Sequence, residues 1–205
     1  MGVNRRGLMA AITNYRDPAA NRAGAPSRGL LVSNFLAART APETYLGRMQ
    51  SRASDYNGFN LLVGDGQALF YYANREDRIR SLAPGMHGLS NHLLDTPWTK
   101  VEQGIRRLAE LTEGTHTPDA EAIFRMLADR TPAPRHQLPD TGVGLVMERL
   151  LSPRFITSPD YGTRSSSILL MSRRGEVSFL ERTFVLKGSD PHIRHTCRVD
   201  FTVSP

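Results

Sequence analysis

Apolar residues along this chain form short runs typical of strands, separated by stretches with helical spacing. The clearest runs cover residues 59–63 and 68–72, and Asp65-Gly66 between them predicts a hairpin turn. A second hairpin is predicted where residues 165–171 and 177–184 flank an Arg-Arg-Gly turn. Single strands are predicted over residues 8–13, 78–82, 86–90 and 194–203.

Helices are predicted where apolar residues recur every three or four positions. The strongest case starts at Thr96-Pro97 and carries Val101, Ile105 and Leu108 on one face. The resulting order of strand, helices, hairpin, helices, hairpin and strand predicts an α+β fold, with helices layered on antiparallel sheets. The other four helices are predicted to begin near Ser27, Thr40, Pro118 and residue 143.

Length and composition are those of a single-domain globular protein. The chain has 205 residues, of which 40% are hydrophobic and 22% charged, and we expect one domain over residues 1–205. No apolar run reaches the roughly 18–20 residues of a membrane span, and no secretory signal opens the sequence, so a cytoplasmic location is expected. The single cysteine, Cys197, excludes an internal disulfide, and its place in the last predicted strand predicts a small packed side chain.

The formal net charge is +6, and lysine occurs only at Lys100 and Lys187, so arginine supplies nearly all of the basic charge. A basic balance favours anionic partners. The arginines are scattered singly and in pairs, however, and no stacking-aromatic motif accompanies them. Nucleic acid is therefore not expected as a partner.

Polar residues at the ends of apolar strands are the main candidates for chemistry, because the common nucleotide-binding, zinc and nucleophile motifs are absent. Such residues occur at 11–16, 88–92 and 161–166. An amide or guanidinium there can stabilise an oxyanion or hold a carboxylate or phosphate. Turn formation is the alternative explanation, because Asn is common where strands end. Except for His192 and His195, which are interpreted as surface histidines, the histidines lack the paired spacing of metal ligands, so no metal site is expected.

Several segments together resemble the NRDE protein family, also called the Transport and Golgi Organization 2 family. The most specific is residues 88–100, Gly-Leu-Ser-Asn-His-Leu-Leu-Asp-Thr-Pro-Trp-Thr-Lys. The resemblance extends over nearly the whole chain. The other segments are Asn14-Tyr15-Arg16-Asp17-Pro18 and residues 26–29, 56–62 and 162–166.

The resemblance implies the four-layer αββα sandwich of N-terminal-nucleophile hydrolases, incomplete at the N-terminus because the family's first strands have no counterpart here. In that class an N-terminal Cys attacks an amide with its own α-amine as base, and an Asn pair and an Arg hold the oxyanion and nucleophile. By motif order, Asn14 and Asn91 resemble the Asn pair and Arg164 the arginine. Met1-Gly2-Val3 stands where the end of a later family segment belongs, and Gly2 cannot act as a nucleophile, so no catalytic nucleophile is expected in the chain as given. Asn74-Arg75-Glu76-Asp77, a scrambled form of the family signature, is interpreted as a hairpin-end loop.

For function, the resemblance implies binding and trafficking of a small-molecule ligand, either haem or an acyl-CoA-like lipid, with no resident cofactor. Two alternatives stay open: an amide hydrolase whose Cys lies upstream of the present start, and an inactive fragment. Self-association through an exposed sheet edge is also expected. The residues expected to contact the ligand are Tyr15, Arg16, Asn57, Asn60, Ser90 and His92.

Overall fold

The computed structural model describes residues 1–115, 117–187 and 190–203. Two antiparallel sheets, of five and three strands in sequence order, and five α-helices form this part of the chain. The strands are β1 (Gly2–Val3), β2 (Met9–Asn14), β3 (Phe59–Gly64), β4 (Leu69–Ala73), β5 (Arg78–Ser81), β6 (Ser165–Met171), β7 (Glu176–Lys187) and β8 (Asp190–Thr202). The helices are α1 (Gly29–Ala37), α2 (Pro42–Gln50), α3 (Thr99–Thr112), α4 (Ala120–Leu127) and α5 (Leu145–Leu150).

The centre of the first sheet is β3, which is buried along almost its whole length. It pairs with β2 and β4, so that Leu61 lies opposite Ile12 on one side and Tyr72 on the other. Helices α1 and α2 bring Phe35 and Leu46 onto this sheet, and both side chains are fully buried there. Burial of these large apolar groups, about 1.5–3 kcal/mol each, fixes the helices against the strands.

The turns of the first sheet follow the predicted chemistry. The Asp65 side chain accepts hydrogen bonds from the backbone N–H groups of Gln67 and Ala68. Gly66 takes the left-handed conformation, with φ of +83°. Residues 74–77 form the turn between β4 and β5, as predicted. There the Asn74 side chain accepts a hydrogen bond from Phe59 N and donates one to Ala53 O. The Asn-Arg-Glu-Asp segment is therefore a structural turn.

The second sheet is covered by a different pair of helices. Ile123 and Phe124 of α4 pack against Ile168 of β6 and Leu180 of β7, and α3 contributes partly buried leucines to the same cluster. Strand β8 is an edge of this sheet and is exposed along most of its length. The prediction of a packed Cys197 is wrong, because its side chain is exposed. It lies on an edge strand of which almost no residue is buried on either face.

The strand predicted over residues 86–90 does not form. This segment is irregular, and it is closed by reciprocal bonds in which Gly88 N donates to Asp95 Oδ1 and Asp95 N donates to Gly88 O. It lies so close to α3 that a Cβ on Gly88 would be 2.5 Å from Val101 Cγ1. Packing onto the helix thus replaces strand pairing, although the apolar pattern alone is typical of a strand.

The predicted class of fold, mixed α and β with helices on antiparallel sheets, is confirmed. Strand β1 was not predicted; it pairs with Met9 and Ala10 and leaves the rest of that edge of β2 without a strand neighbour in the described residues. In the described part of the chain, no helix is both long and apolar enough to cross a membrane.

Candidate functional site

A fully buried asparagine joins the first sheet to the irregular segment at residues 88–96. Asn60, in the middle of the sheet, donates from Nδ2 to Thr13 Oγ1 at 3.1 Å and to His92 O at 3.0 Å, and its Oδ1 accepts from Tyr71 OH at 2.8 Å. Tyr71 OH also accepts from Leu94 N. A buried amide with every contact satisfied is costly to disturb, so Asn60 holds the segment in one position.

Hydrogen bonds join the end of β2 directly to the irregular segment at residues 88–96. Thr13 Oγ1 donates to Ser90 O at 2.7 Å, and Arg16 N donates to Asn91 O at 2.7 Å. The Asn91 side chain donates from Nδ2 to Asn14 O at 3.1 Å. The two predicted asparagines are therefore adjacent, but Asn14 contributes its backbone carbonyl to the contact and its own side chain is exposed.

An ion pair closes one side of this region. Arg16 donates to Glu148 Oε2 at 2.7 Å, and the two side chains are only 10% and 2% exposed. Glu148 Oε1 accepts from both the backbone N and the hydroxyl of Thr141. Glu148 lies on α5, so this pair ties the end of β2 to a helix more than a hundred residues further along the chain.

His92 is held in a neutral form by its neighbours. The Thr96 hydroxyl donates to Leu93 O, so it accepts from His92 Nδ1, and His92 Nε2 then accepts from Tyr15 OH at 2.8 Å. Burial lowers the pKa of His92 below its usual value. The pKa of Tyr15 is raised, by burial first and by the charge of Asp17 second. Neither group is poised as a proton donor at neutral pH.

Beside this polar network lies a groove of about 410 Å³, within the range of small-molecule sites. One wall is α3, and the others come from the segment at 86–91, the end of α4 and residues 153–156. The lining is mostly apolar and includes Leu89, Val101, Ile105, Leu108, Leu127 and Ile156. Its polar members include Thr13, Ser90, Asn91, Lys100 and Arg154. The groove therefore suits a ligand with an apolar body and a polar end.

Lys100 lies at the junction between the polar network and the groove. Its Nζ donates to Leu151 O at 2.8 Å, and it lies 5.7 Å from the centre of the Trp98 ring. Burial, and then the positive charge of Arg16, lower the pKa of Lys100 to about 8, while Glu148 raises it. Such a shift is typical of functional amines, although structural ion networks also produce it.

The other predicted residues lie outside the groove. Asn57 holds the loop after β2, since its side chain accepts from Arg22 N and donates to Arg22 O. Arg164 is exposed at the start of β6 and lines two surface depressions, with Tyr161 in one and His195 in the other. Asn14 and Asn91 line neither depression. Of the predicted set, only Ser90 and Asn91 line the groove.

Two residues of the site were missed by sequence reasoning. Lys100 carried a usable signal, because it is one of two lysines in an arginine-rich chain and falls in the most specific matching segment. Glu148 carried none: it follows three apolar residues on a short helix, yet Glu148 is buried while Leu145, Val146 and Met147 are exposed. Among the described residues, no group of three or more acidic, Cys or His side chains could hold a metal ion.

Two antiparallel sheets, with helices layered on them and an apolar groove beside the end of β2, define a mixed α/β protein with one candidate ligand site in the region described. The family model described as "Transport and Golgi organisation 2" matches residues 1–185. The chain belongs to this family.

Curated relatives agree with this assignment. The chain is 36% identical over 204 residues to the Transport and Golgi organization protein 2 homolog of Bos taurus, covering 93% of this chain and 73% of the relative. It is 34% identical over 200 residues to the Homo sapiens protein of the same name, covering 91% and 72%. The mouse homolog is 32% identical over 202 residues.

Proposed function

We propose that this protein binds and carries an anionic amphiphile, such as an acyl-CoA-like lipid or haem, in the groove beside α3. The observation that carries this proposal is the composition of the groove wall: an apolar lining along α3 and residues 153–156 that ends at Lys100, Ser90 and Asn91. An alkyl or porphyrin body gains from the apolar lining, and a carboxylate, phosphate or thioester carbonyl gains from the polar end.

The groove fits an acyl ligand more simply than it fits haem iron. His87 lines the groove, but its Nδ1 is bonded to Asp95 and its Nε2 to Ala83 O, so both ring nitrogens have partners. An axial bond to iron would then come from Met86 or Met126, which also line the groove. An acyl chain requires no such bond.

The family resemblance adds two elements to the proposal. The first is a four-layer αββα sandwich, which is supported by the way α1 and α2 cover one sheet while α3 and α4 cover the other. The second is a ligand contact through the strand-end residues. Asn91 and Ser90 support it directly because they line the groove, and Asn14, Tyr15, Arg16, Asn60 and His92 support it through the network that positions them.

Titration with haemin and with a medium-chain acyl-CoA tests the proposal. Gly104 lines the groove on α3, and a Cβ there would meet only Arg154 Cδ, at 3.8 Å. Gly104→Leu should therefore place an apolar side chain in the groove, starting from a Cβ in ordinary contact distance, and it also removes a helix-destabilising glycine. Gly47→Leu in α2, where a Cβ meets nothing within 4 Å, is the matched control.

The expected result is saturable binding, seen as a Soret shift for haemin or as heat for acyl-CoA, that Gly104→Leu weakens at least tenfold and Gly47→Leu leaves unchanged. Binding of neither ligand would refute the carriage of haem and of acyl-CoA. Binding that both variants leave unchanged would show that the ligand binds outside the groove.

A second candidate function is amide hydrolysis of the N-terminal-nucleophile type. The observation that favours it is the contact between Asn91 Nδ2 and Asn14 O, because these are the two residues that resemble the asparagine pair of that class by motif order. The chain as given carries Gly2, not Cys, after its Met, so we expect no release of acid from N-acyl amides. Measured hydrolysis that Asn91→Ala abolishes would favour this candidate over ligand carriage.

A further inference from the structure

Lys100 is the one basic side chain of the groove that has no acidic partner in the described residues. Its Nζ makes one hydrogen bond, to Leu151 O, and no carboxylate of the described chain lies within 4 Å of it. Arg154, the other cation lining the groove, is paired with Asp129 and also donates to Met126 O. An ammonium has three donors, so Lys100, which lines the groove, retains hydrogen-bonding capacity beyond its bond to Leu151 O.

The charges around Lys100 do not cancel. Arg16 contacts the shared neighbour Trp98, with its guanidinium 5.1 Å from the ring centre. The nearby acidic group is Glu148, and both of its oxygens are already used, by Arg16 and by Thr141. Two cations therefore share one carboxylate, and the local excess is one positive charge in a half-buried place, where an added anion would be attracted strongly.

The apolar lining of the groove runs along α3 from Lys100 towards the C-terminal end of the helix. Val101, Ile105 and Leu108 follow Lys100 along α3 and line the groove, and at 1.5 Å per residue they extend about 10 Å from the first to the last. The groove thus offers, among the described residues, one cationic group without an acidic partner at one end of an apolar wall, which matches one negative charge at the end of an alkyl chain.

We propose that the groove takes medium-chain monocarboxylates and that the Lys100 ammonium binds their carboxylate. This inference rests on the ligand-binding function proposed above and gives that function a chemical class and a head-group residue. One excess charge favours a monoanion over a phosphate dianion, and the ammonium binds a carboxylate oxygen as a compact point charge.

The protonation of Lys100 makes this binding depend on pH. With a pKa of about 8 in the free protein, set by burial, Arg16 and Glu148, Lys100 is mostly charged at pH 7 and mostly neutral at pH 9. A carboxylate binds the charged form, so its affinity should be nearly constant below pH 8 and fall up to tenfold per pH unit above it. An uncharged ligand of the same length should show no such fall.

The test compares decanoate with 1-decanol, measured by displacement of the neutral fluorophore N-phenyl-1-naphthylamine from the full chain. We expect the wild type to prefer decanoate at least tenfold at pH 7 and to lose that preference by pH 9.5. Lys100→Met should abolish the preference and keep the affinity for decanol. Lys100→Arg should keep the preference and remove its pH dependence, since guanidinium does not titrate in this range. Lys187→Met, at the only other lysine, should behave as the wild type.

The outcomes separate this inference from the function on which it rests. Equal affinities of the wild type for decanoate and decanol, or a preference unchanged between pH 7 and 9.5, would overturn the role of Lys100 and leave ligand binding intact. An unchanged preference in Lys100→Met would also overturn it. If decanol, decanoate, haemin and acyl-CoA all fail to bind, the proposed function itself is refuted. The wild-type pH profile decides the matter even if Lys100→Met fails to fold.

Discussion

Removal of the carboxylate of Glu148 is the sharpest test of how the site is held together. Glu148 and Arg16 are almost fully buried, so this pair belongs with buried salt bridges, whose loss of one partner leaves an uncompensated charge. Glu148→Ala should therefore cost about 3–5 kcal/mol of unfolding free energy, which for a chain of this length lowers Tm by about 6–20 °C. Glu148→Gln keeps an acceptor for both Thr141 donors and should recover about 1–2 kcal/mol of that loss.

Urea denaturation followed by circular dichroism measures both variants. The double variant Arg16→Met/Glu148→Leu should cost less than the sum of the single changes, because it leaves no buried charge alone. A cost below about 1 kcal/mol for Glu148→Ala, the value of an exposed pair, would refute the argument. Strict additivity of the double variant would refute it independently.

Two further predictions concern the segment that forms the groove wall. Burial lowers the pKa of His92 in the folded protein, so as the pH falls below about 6.5 the unfolded chain takes up a proton at His92 more readily than the folded chain. The free energy of unfolding should therefore fall as the pH drops through this range, and it should fall less in His92→Gln. Denaturation midpoints between pH 5 and 8 measure both. Equal pH slopes for the two proteins would contradict the role of His92. Gly88→Ala would place a methyl 2.5 Å from Val101 Cγ1, so we expect a loss of about 1–3 kcal/mol and weaker ligand binding; an unchanged Tm would show that α3 is not packed there.

Local sequence patterns predicted where strands form better than they predicted how each strand or segment is packed and buried. The hairpin of β3 and β4 and the strand β6 follow from runs of apolar residues with turn chemistry between them, and both formed as predicted. The segment at 86–90 has the same pattern and is not a strand, because Gly88 allows it to pack onto α3. The alternation in β8 predicted a buried Cys197, but burial depends on whether another layer covers the strand, which the pattern does not encode.

The site was predictable only in part, for a similar reason. The motif at 88–100 contains Ser90, Asn91 and Lys100 of the groove, and the sequence identified the first two. The ion pair of Arg16 with Glu148 joins residues 132 positions apart, and nothing in the spacing of either residue indicates the other. Arg164, chosen from motif order, lies among other surface groups, since order along a chain does not determine proximity in space.

Trp98 gives this protein its own optical reporter. It is the only tryptophan in the sequence, and the Arg16 guanidinium, the Lys100 ammonium and the His92 ring all lie within 6 Å of the centre of its indole. Indole emission responds to nearby charge, so neutralising Lys100 or seating an anion beside it changes the emission without any label. Light absorbed by this one ring therefore reports on the junction of strand, segment and groove alone, and the events there can be followed in real time in the unmodified chain.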